Sequence, residues 1–106
     1  MFLDYSTVEW PEENPIDLHV PGYDGKGTVK LQNYRYPADK TVARKGIVTL
    51  THGHGDFMRY AWMAQKFAAV GYDVVGMDAR GHGRSEGRRG VIESKEIIRD
   101  DSLLYA

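Results

Sequence analysis

Residues 47–56 read Ile-Val-Thr-Leu-Thr-His-Gly-His-Gly-Asp, an apolar and β-branched run that breaks into a glycine-rich turn. Such a run is typical of a strand buried on both faces, as in a parallel sheet. Apolar residues then recur at helical spacing from Tyr60 to Ala68. The stretch therefore predicts a strand, a turn and a helix, with Asp56 as the N-cap of the helix and Gly71 at its end.

A second apolar run, residues 72–78, follows this helix and predicts a second buried strand. A strand, a helix and a strand in this order form a parallel pair with a right-handed crossover. A loop rich in glycine and arginine then runs from Ala79 to about Gly90, and Ser94 is predicted to cap a last helix. The fold class that this order indicates is α/β.

The N-terminal part of the chain has a different character. Residues 1–17 are acidic and contain two prolines, which indicates an extended lead-in. Short strands are predicted at residues 18–20 and, from partial alternation of apolar and polar residues, at 28–36. We therefore predict one domain, with a lead-in over 1–17, leading strands over 18–44 and a core over 45–106.

Composition narrows the classes of function. The chain has 106 residues, 42% of them hydrophobic and 27% charged, which suits one globular domain. A net charge of −1 predicts no nucleic-acid partner, and the lack of cysteine excludes disulfides and thiolate chemistry. No apolar run approaches the roughly 18 residues of a membrane span, and the N-terminus lacks the basic start of a signal peptide. We expect a cytoplasmic protein or one peripheral to membranes, without a cofactor or metal.

The turn at residues 52–56 is the first candidate site. A turn from a buried strand into a helix exposes backbone N–H groups that can hold developing negative charge. Glycines at such a turn let the backbone approach a substrate oxygen closely. The alternative is a glycine-rich turn without a chemical role.

The second candidate is Asp-Ala-Arg-Gly-His-Gly-Arg-Ser-Glu-Gly at residues 78–87. Asp78 and Arg80 are predicted to pair and brace the loop, so that these residues give it shape and perform no chemistry. An acid–base pair of His82 with Asp78 is an alternative, although a buried loop histidine held by hydrogen bonds is more common. The local arginines have few aromatic neighbours in sequence, which favours a solvated loop over a nucleic-acid site.

Together the two motifs resemble those of the α/β-hydrolase superfamily, in its monoacylglycerol lipase and serine aminopeptidase-like group. In that group one strand ends in HGxGE followed by RY, and here residues 52–56 match with Asp56 for Glu, followed by Arg59 and Tyr60. The next strand ends in DxRGHGxSEG, which residues 78–87 match fully, about 26 residues later. The resemblance covers residues 45–106, and the leading strands match less closely.

The resemblance implies an incomplete N-terminal portion of an α/β-hydrolase fold, with a mostly parallel sheet, flanking helices and antiparallel leading strands. It implies a serine hydrolase acting on carboxylic esters, of the acylglycerol or lysophospholipid type. The backbone N–H of His54 would contribute to the oxyanion hole. The supporting loop residues would be His52, Gly53, Gly55, Asp78, Arg80, His82 and Ser85.

The catalytic triad of this group is Ser, Asp and His in chain order, with Ser on a GxSxG elbow. Residues 83–87 match that pattern, but they lie inside the second motif and no histidine follows Ser85. We therefore expect the triad beyond residue 106, supplied by a complementing C-terminal half, and this chain alone to be inactive. A non-catalytic, truncated or degenerate copy that binds a partner is the alternative function.

A lesser alternative is a metallo-β-lactamase-type metallohydrolase. His52, His54 and Asp56 resemble the HxHxDH signature of that class, whose clustered ligands bind zinc. The last histidine of the signature is Phe57 here, which cannot bind a metal.

In the hydrolase family the strand at 47–50 lies within the sheet, so we also expect an uncovered apolar edge and poor solubility of the isolated chain.

Overall fold

A computed structural model describes residues 8–23, 26–91 and 94–104. Along these ranges the chain forms six strands and two helices. The elements are β1 (Glu12–Glu13), β2 (His19–Pro21), β3 (Thr28–Lys30), β4 (Asn33–Tyr36), β5 (Gly46–Leu50), α1 (Ala61–Ala69), β6 (Tyr72–Met77) and α2 (Lys95–Leu104).

Four strands form the main sheet, in the order β1-β4-β6-β5. The pair β5 and β6 is parallel, with Val48 opposite Val74, and α1 connects the two strands. β4 runs antiparallel to β6, and β1 runs antiparallel to β4. The predicted α/β fold, with a parallel pair after antiparallel leading strands, is confirmed.

A second sheet pairs β2 with β3. The strand predicted at 18–20 is confirmed with a shift of one residue, but the single strand predicted over 28–36 is wrong. The chain leaves the small sheet after Lys30 and joins the main sheet at Asn33, because Gln32 donates its backbone N–H to the Ser85 side chain. A cluster of apolar side chains fills the space between the sheets and comprises Leu18, Val20, Val29, Leu31 and Met77.

Helix α1 buries a narrow stripe of Ala61, Ala64 and Ala68 against the sheet, where it packs on β6 and β4. The helix ends at Ala69, just before the predicted stop at Gly71. The φ of Gly71, 109°, suits glycine, and a Cβ there would lie 2.3 Å from the Ala43 carbonyl oxygen.

The predicted N-cap of α1, Asp56, is wrong, because the cap position is Tyr60 and the helix begins at Ala61. The Asp56 carboxylate instead accepts hydrogen bonds from the Phe57 backbone and the Tyr60 hydroxyl. Asp78 holds the backbone N–H of Met58 at 2.7 Å. These bonds keep residues 56–59 in a turn before the helix.

Strand β5 is less buried than its apolar sequence predicts. Ile47 is 61% exposed, and Val48 and Leu50 are only half-buried. β5 lies at the edge of the described sheet, and α1 packs over β6 and β4 instead. The predicted burial on both faces is therefore wrong for β5, whereas β6, between two strands, is mostly buried.

Helix α2 begins after Ser94, whose hydroxyl accepts the Ile97 backbone N–H at 3.2 Å, as predicted. Over the three described ranges, neither helix has the length and apolarity that crossing a bilayer requires.

Candidate functional site

Two loops leave the carboxyl ends of the parallel pair side by side. The histidine loop, residues 51–56, follows β5, and the arginine loop, residues 79–90, follows β6. Loops that follow neighbouring parallel strands meet at one edge of the sheet, which is where open α/β sheets bind ligands. The residues predicted from both motifs are therefore brought together.

His52 joins the two loops. Its Nε2 accepts the Ala79 backbone N–H at 2.9 Å, and its Nδ1 lies 2.8 Å from the Gly53 carbonyl oxygen. Because a carbonyl only accepts, the ring proton sits on Nδ1 and the imidazole is neutral. This geometry supports the predicted structural role of His52.

Asp78 organises the base of the site. Its carboxylate, which is buried, accepts hydrogen bonds from the Tyr34 hydroxyl at 2.8 Å, from Met58 N at 2.7 Å and from Arg84 N at 3.0 Å. Burial, together with the bond to Asp78, raises the pKa of Tyr34. No motif in the sequence pointed to Tyr34, which lies 44 residues before its partner.

Gly83 lets the arginine loop pass close to Asp78. Its φ is 51°, and a Cβ there would lie 2.5 Å from the Asp78 carboxyl carbon. Any side chain at this position would displace the carboxylate that holds Met58. The glycine of this motif is thus required by the Asp78 network.

Ser85 is only 2% exposed. Its hydroxyl donates to the Asp78 carbonyl oxygen and accepts the Gln32 backbone N–H at 2.8 Å. The neighbouring Glu86 donates its backbone N–H to the Lys30 carbonyl oxygen, and its carboxylate accepts the Lys30 backbone N–H at 2.7 Å, so this part of the loop is bound to the end of β3. A hydroxyl held in this way does not face a substrate, which supports the prediction that Ser85 is not a nucleophile.

The predicted pair of Asp78 with Arg80 is wrong. The Arg80 guanidinium instead makes a two-point contact with Asp101 on α2, at 3.0 Å for both bonds. Both side chains are buried, and the guanidinium also lies 5.4 Å from the centre of the Tyr23 ring. Arg80 therefore ties α2 and the β2–β3 connection to the arginine loop, so that this arginine is not the solvated residue we predicted.

His82 lies between the two other histidines of the site. Its ring centre is 5.4 Å from that of His52 and 5.2 Å from that of His54. Its Nδ1 is 3.0 Å from the Arg80 carbonyl oxygen, and among the described residues no group bonds its buried Nε2. The alternative acid–base pair with Asp78 is wrong, because the Asp78 carboxylate bonds Tyr34, Met58 and Arg84.

His54 presents its backbone at the surface of the site. The residue is exposed, and in the part of the chain that the structure describes nothing accepts a hydrogen bond from its N–H. A Cβ added at either Gly53 or Gly55 would meet nothing within 4 Å, so the space in front of the loop is open. A donor in this position is able to bind an oxygen that carries negative charge.

Asp56 is the last residue of the histidine loop, and its carboxylate binds three neighbouring residues. The carboxylate bonds the Tyr60 hydroxyl and the Phe57 backbone and forms an ion pair with Arg59 at 2.9 Å. The Tyr60 bond and then the Phe57 bond lower the pKa of Asp56. Asp56, Arg59 and Tyr60, the residues that match the family motif, thus form one cluster.

The same geometry argues against the metallohydrolase alternative. Both ring nitrogens of His52 and the carboxylate of Asp56 are engaged by other groups of the protein. Over residues 8–23, 26–91 and 94–104, no group of three or more His, Asp or Glu side chains is placed to hold a metal ion.

Comparison with known proteins agrees with these motifs. The family described as serine aminopeptidase, S33 matches residues 42–105. A monoacylglycerol lipase of Mycolicibacterium smegmatis is 48% identical over 46 residues, which are 42% of this chain and 16% of the lipase. A caffeoylshikimate esterase of Arabidopsis thaliana is 38% identical over 65 residues, which are 58% of this chain and 19% of the esterase.

Among solved structures, the α/β-hydrolase GrgF from Penicillium sp. sh18 superposes with a TM-score of 0.56 at 19% identity. The match covers 88% of this chain and 30% of that chain. At this identity the likeness shows the fold. The described elements are thus part of an α/β-hydrolase sheet, and the chain spans less than a third of the length of each of these three proteins.

Proposed function

Because this chain belongs to the serine aminopeptidase S33 family, we propose that it is the N-terminal part of a serine hydrolase acting on carboxylic esters. The substrates we propose are lipid-like, acylglycerols or lysophospholipids. Support comes from a monoacylglycerol lipase and an esterase among its relatives. In this proposal the ester-binding edge is the one where the histidine loop and the arginine loop meet.

The observation that carries the proposal is the backbone N–H of His54, at the carboxyl end of β5 beside open space, for which the described residues provide no acceptor. When a nucleophile attacks an ester, the carbonyl oxygen becomes an oxyanion. A fixed N–H at 2.7–3.1 Å from that oxygen lowers the barrier by about 2.7–4 kcal/mol. His52 and His82 hold the loop, so the donor is positioned before the substrate arrives.

The nucleophile, the base and the acid are proposed to come from a complementing C-terminal half. Ser85 is buried and committed to Asp78 and Gln32. This burial also favours the second candidate, a non-catalytic copy that acts, if at all, by binding a partner. The two candidate functions predict different results when the missing catalytic groups are supplied. The hydrolase fragment is expected to support turnover, and the non-catalytic copy is not.

The first test is labelling of the purified chain with a fluorophosphonate probe, beside an assay with a p-nitrophenyl ester. We expect neither labelling nor turnover. Labelling at Ser85 would overturn the assignment of that residue to a structural role.

The second test supplies the missing half. A chimera carries this chain in place of the matching N-terminal part of the M. smegmatis monoacylglycerol lipase, and its hydrolysis of a monoacylglycerol is measured. We expect turnover. His54→Pro, which removes the N–H, is expected to lower kcat by about 10²–10³-fold. His54→Ala keeps the N–H and serves as the control.

Each result of the chimera has a definite meaning. A folded chimera without turnover would favour the non-catalytic copy. A His54→Pro variant as active as His54→Ala would show that the His54 N–H is not the oxyanion donor.

A further inference from the structure

Four residues from separate parts of the chain form a closed ring of contacts beside the histidine loop. The Trp10 ring stacks on the Tyr34 ring, with their centres 5.4 Å apart and their planes at 27°. The Tyr34 hydroxyl donates to the Asp78 carboxylate at 2.8 Å, and this carboxylate accepts the Met58 backbone N–H at 2.7 Å. The Trp10 indole N–H closes the ring by donating to the Met58 carbonyl oxygen at 3.1 Å. Both polar groups of the Met58 backbone are therefore bonded.

The Met58 side chain is fixed as well. The residue is only 2% exposed. Its side chain covers Gly76 of β6 so closely that a Cβ at Gly76 would lie 3.0 Å from the Met58 Cγ and Sδ atoms. A residue that is held through its N–H, its carbonyl and its side chain has little freedom to move. Met58 is thus a fixed point of the chain four residues after His54.

This fixed point affects His54 because a glycine lies on either side of that histidine. Glycine adopts many backbone conformations, so the direction of the His54 N–H depends on how the two ends of the histidine loop are held. The His52 ring binds the first end to Ala79, and Met58, just beyond the second end, is bound to Asp78. Both ends of the loop are therefore attached to consecutive residues at the end of β6.

We propose that Trp10 is a positioning residue for the oxyanion donor and acts on His54 through the Met58 carbonyl, a role that rests on the proposed function of the His54 N–H. Trp10 lies outside residues 42–105, the part of the chain that matches the serine aminopeptidase S33 family. Without the indole N–H, Met58 keeps its backbone bond to Asp78 but loses the bond that stops its carbonyl from turning. A small turn matters, because misplacement of a catalytic group by about 1 Å lowers a rate by about 10²-fold.

The segment that carries Trp10 is attached to the main sheet by other bonds. Asn14 donates its backbone N–H to the Asn33 carbonyl oxygen at 2.6 Å, and its side chain accepts the Asn33 backbone N–H at 3.1 Å. Glu12 forms an ion pair with Arg35 at 3.1 Å. Loss of the indole N–H is therefore expected to remove one bond at the site and to leave the lead-in in place.

Two substitutions at position 10 separate the hydrogen bond from the aromatic ring. Trp10→Phe keeps a ring against Tyr34 but has no N–H. Trp10→His restores a ring N–H, because Nε2 of histidine occupies the same place along the side chain as Nε1 of tryptophan. Trp62→Phe is the matched control, since Trp62 is the second tryptophan of the chain, is also half-buried and lies on α1.

The first experiment measures monoacylglycerol hydrolysis by the chimera with the M. smegmatis lipase. Trp10→Phe is expected to lower kcat by about 10–10²-fold with KM unchanged, because the donor is needed only once the oxyanion forms. Trp10→His is expected to recover most of this loss, and Trp62→Phe to match the unsubstituted chimera. Native kcat in Trp10→Phe, a loss in KM alone, or equal losses in Trp10→Phe and Trp10→His would overturn the proposal.

The second experiment does not depend on catalysis and so separates this proposal from the proposed function. It compares amide exchange at Met58 of the purified chain with exchange in β6, which reports on global unfolding. Trp10→Phe is expected to speed exchange at Met58 by about 3–10-fold relative to β6, and Trp10→His to slow it again. An unchanged Met58 rate in Trp10→Phe would overturn the proposal. An unsubstituted chimera without turnover would instead count against the proposed function, and the exchange rates would then decide whether Trp10 positions Met58.

Discussion

The imidazole of His52 accepts the backbone N–H of Ala79 through Nε2 at 2.9 Å. His52 follows β5 and Ala79 follows β6, so this one bond fastens together the ends of two neighbouring parallel strands. The second ring nitrogen bonds the Gly53 carbonyl, which fixes the turn into the histidine loop. The position of His54 therefore depends on the side chain two residues before it.

Replacing His52 by alanine is expected to lower the free energy of unfolding by about 1–2 kcal/mol, because the Ala79 N–H loses its partner. Urea denaturation at a fixed protein concentration measures this loss. His54→Ala is the control, and as an exposed residue it should change stability by no more than about 0.5 kcal/mol. Equal effects of the two substitutions would show that the His52 bond contributes little.

The order of β5, α1 and β6 could be predicted from the sequence because it rests on local patterns. Apolar runs of strand length, helical spacing from Tyr60 to Ala68 and the glycine at position 71 are all read within a few residues. Parallel pairing then places the two motif loops side by side. The contacts of His82 with His52 and His54 follow from this strand pairing, although the sequence analysis did not predict them.

Partners far apart in the chain could not be predicted. Arg80 lies two residues from Asp78 and yet pairs with Asp101, because Asp78 is already occupied by Tyr34, Met58 and Arg84. Burial of β5 was also mispredicted. An apolar run of strand length looks alike at the edge and at the centre of a sheet, so the burial of the strand depends on the strand order.

A second prediction concerns pH. Asp73 accepts the Ala38 backbone N–H at 2.8 Å and a bond from Arg44 at 2.7 Å, and these bonds hold the pKa of its carboxyl below the ordinary value of 3.8. A carboxyl with a lowered folded-state pKa stabilises the protein above its unfolded-state pKa. That contribution is lost as the pH falls through the folded-state pKa.

The free energy of unfolding of the native chain is therefore expected to fall as the pH drops below about 4. Asp73→Asn should be less stable at pH 7 and should show a flatter pH dependence in the acid range. Glu9→Gln, at an exposed carboxylate, is the control. Thermal melts from pH 2 to pH 7 measure the slopes, and equal slopes for Asp73→Asn and the native chain would contradict the role of Asp73.

A third prediction concerns the buried ion pair that holds α2. Arg80 and Asp101 meet through two bonds of 3.0 Å, with 8% and 6% of their side chains exposed. Removing one partner leaves the other charge buried without compensation, which typically costs about 3–5 kcal/mol. Arg80→Ala and Asp101→Ala are each expected to destabilise the chain and to detach α2, because the carboxylate on α2 needs this guanidinium.

A double-mutant cycle measures the interaction energy between Arg80 and Asp101 separately from the effect of each single substitution on stability. Once one partner is gone, removing the second relieves an unpaired buried charge, so the double variant should be much less destabilised than the sum of the two single variants. Arg99→Ala is the control, since Arg99 pairs with Asp100 at the surface of the same helix. Urea denaturation gives the four free energies, and amide exchange over residues 95–104 reports on α2 directly. If the two single losses were additive, α2 would be held by its other contacts and the predicted dependence on Arg80 would be wrong.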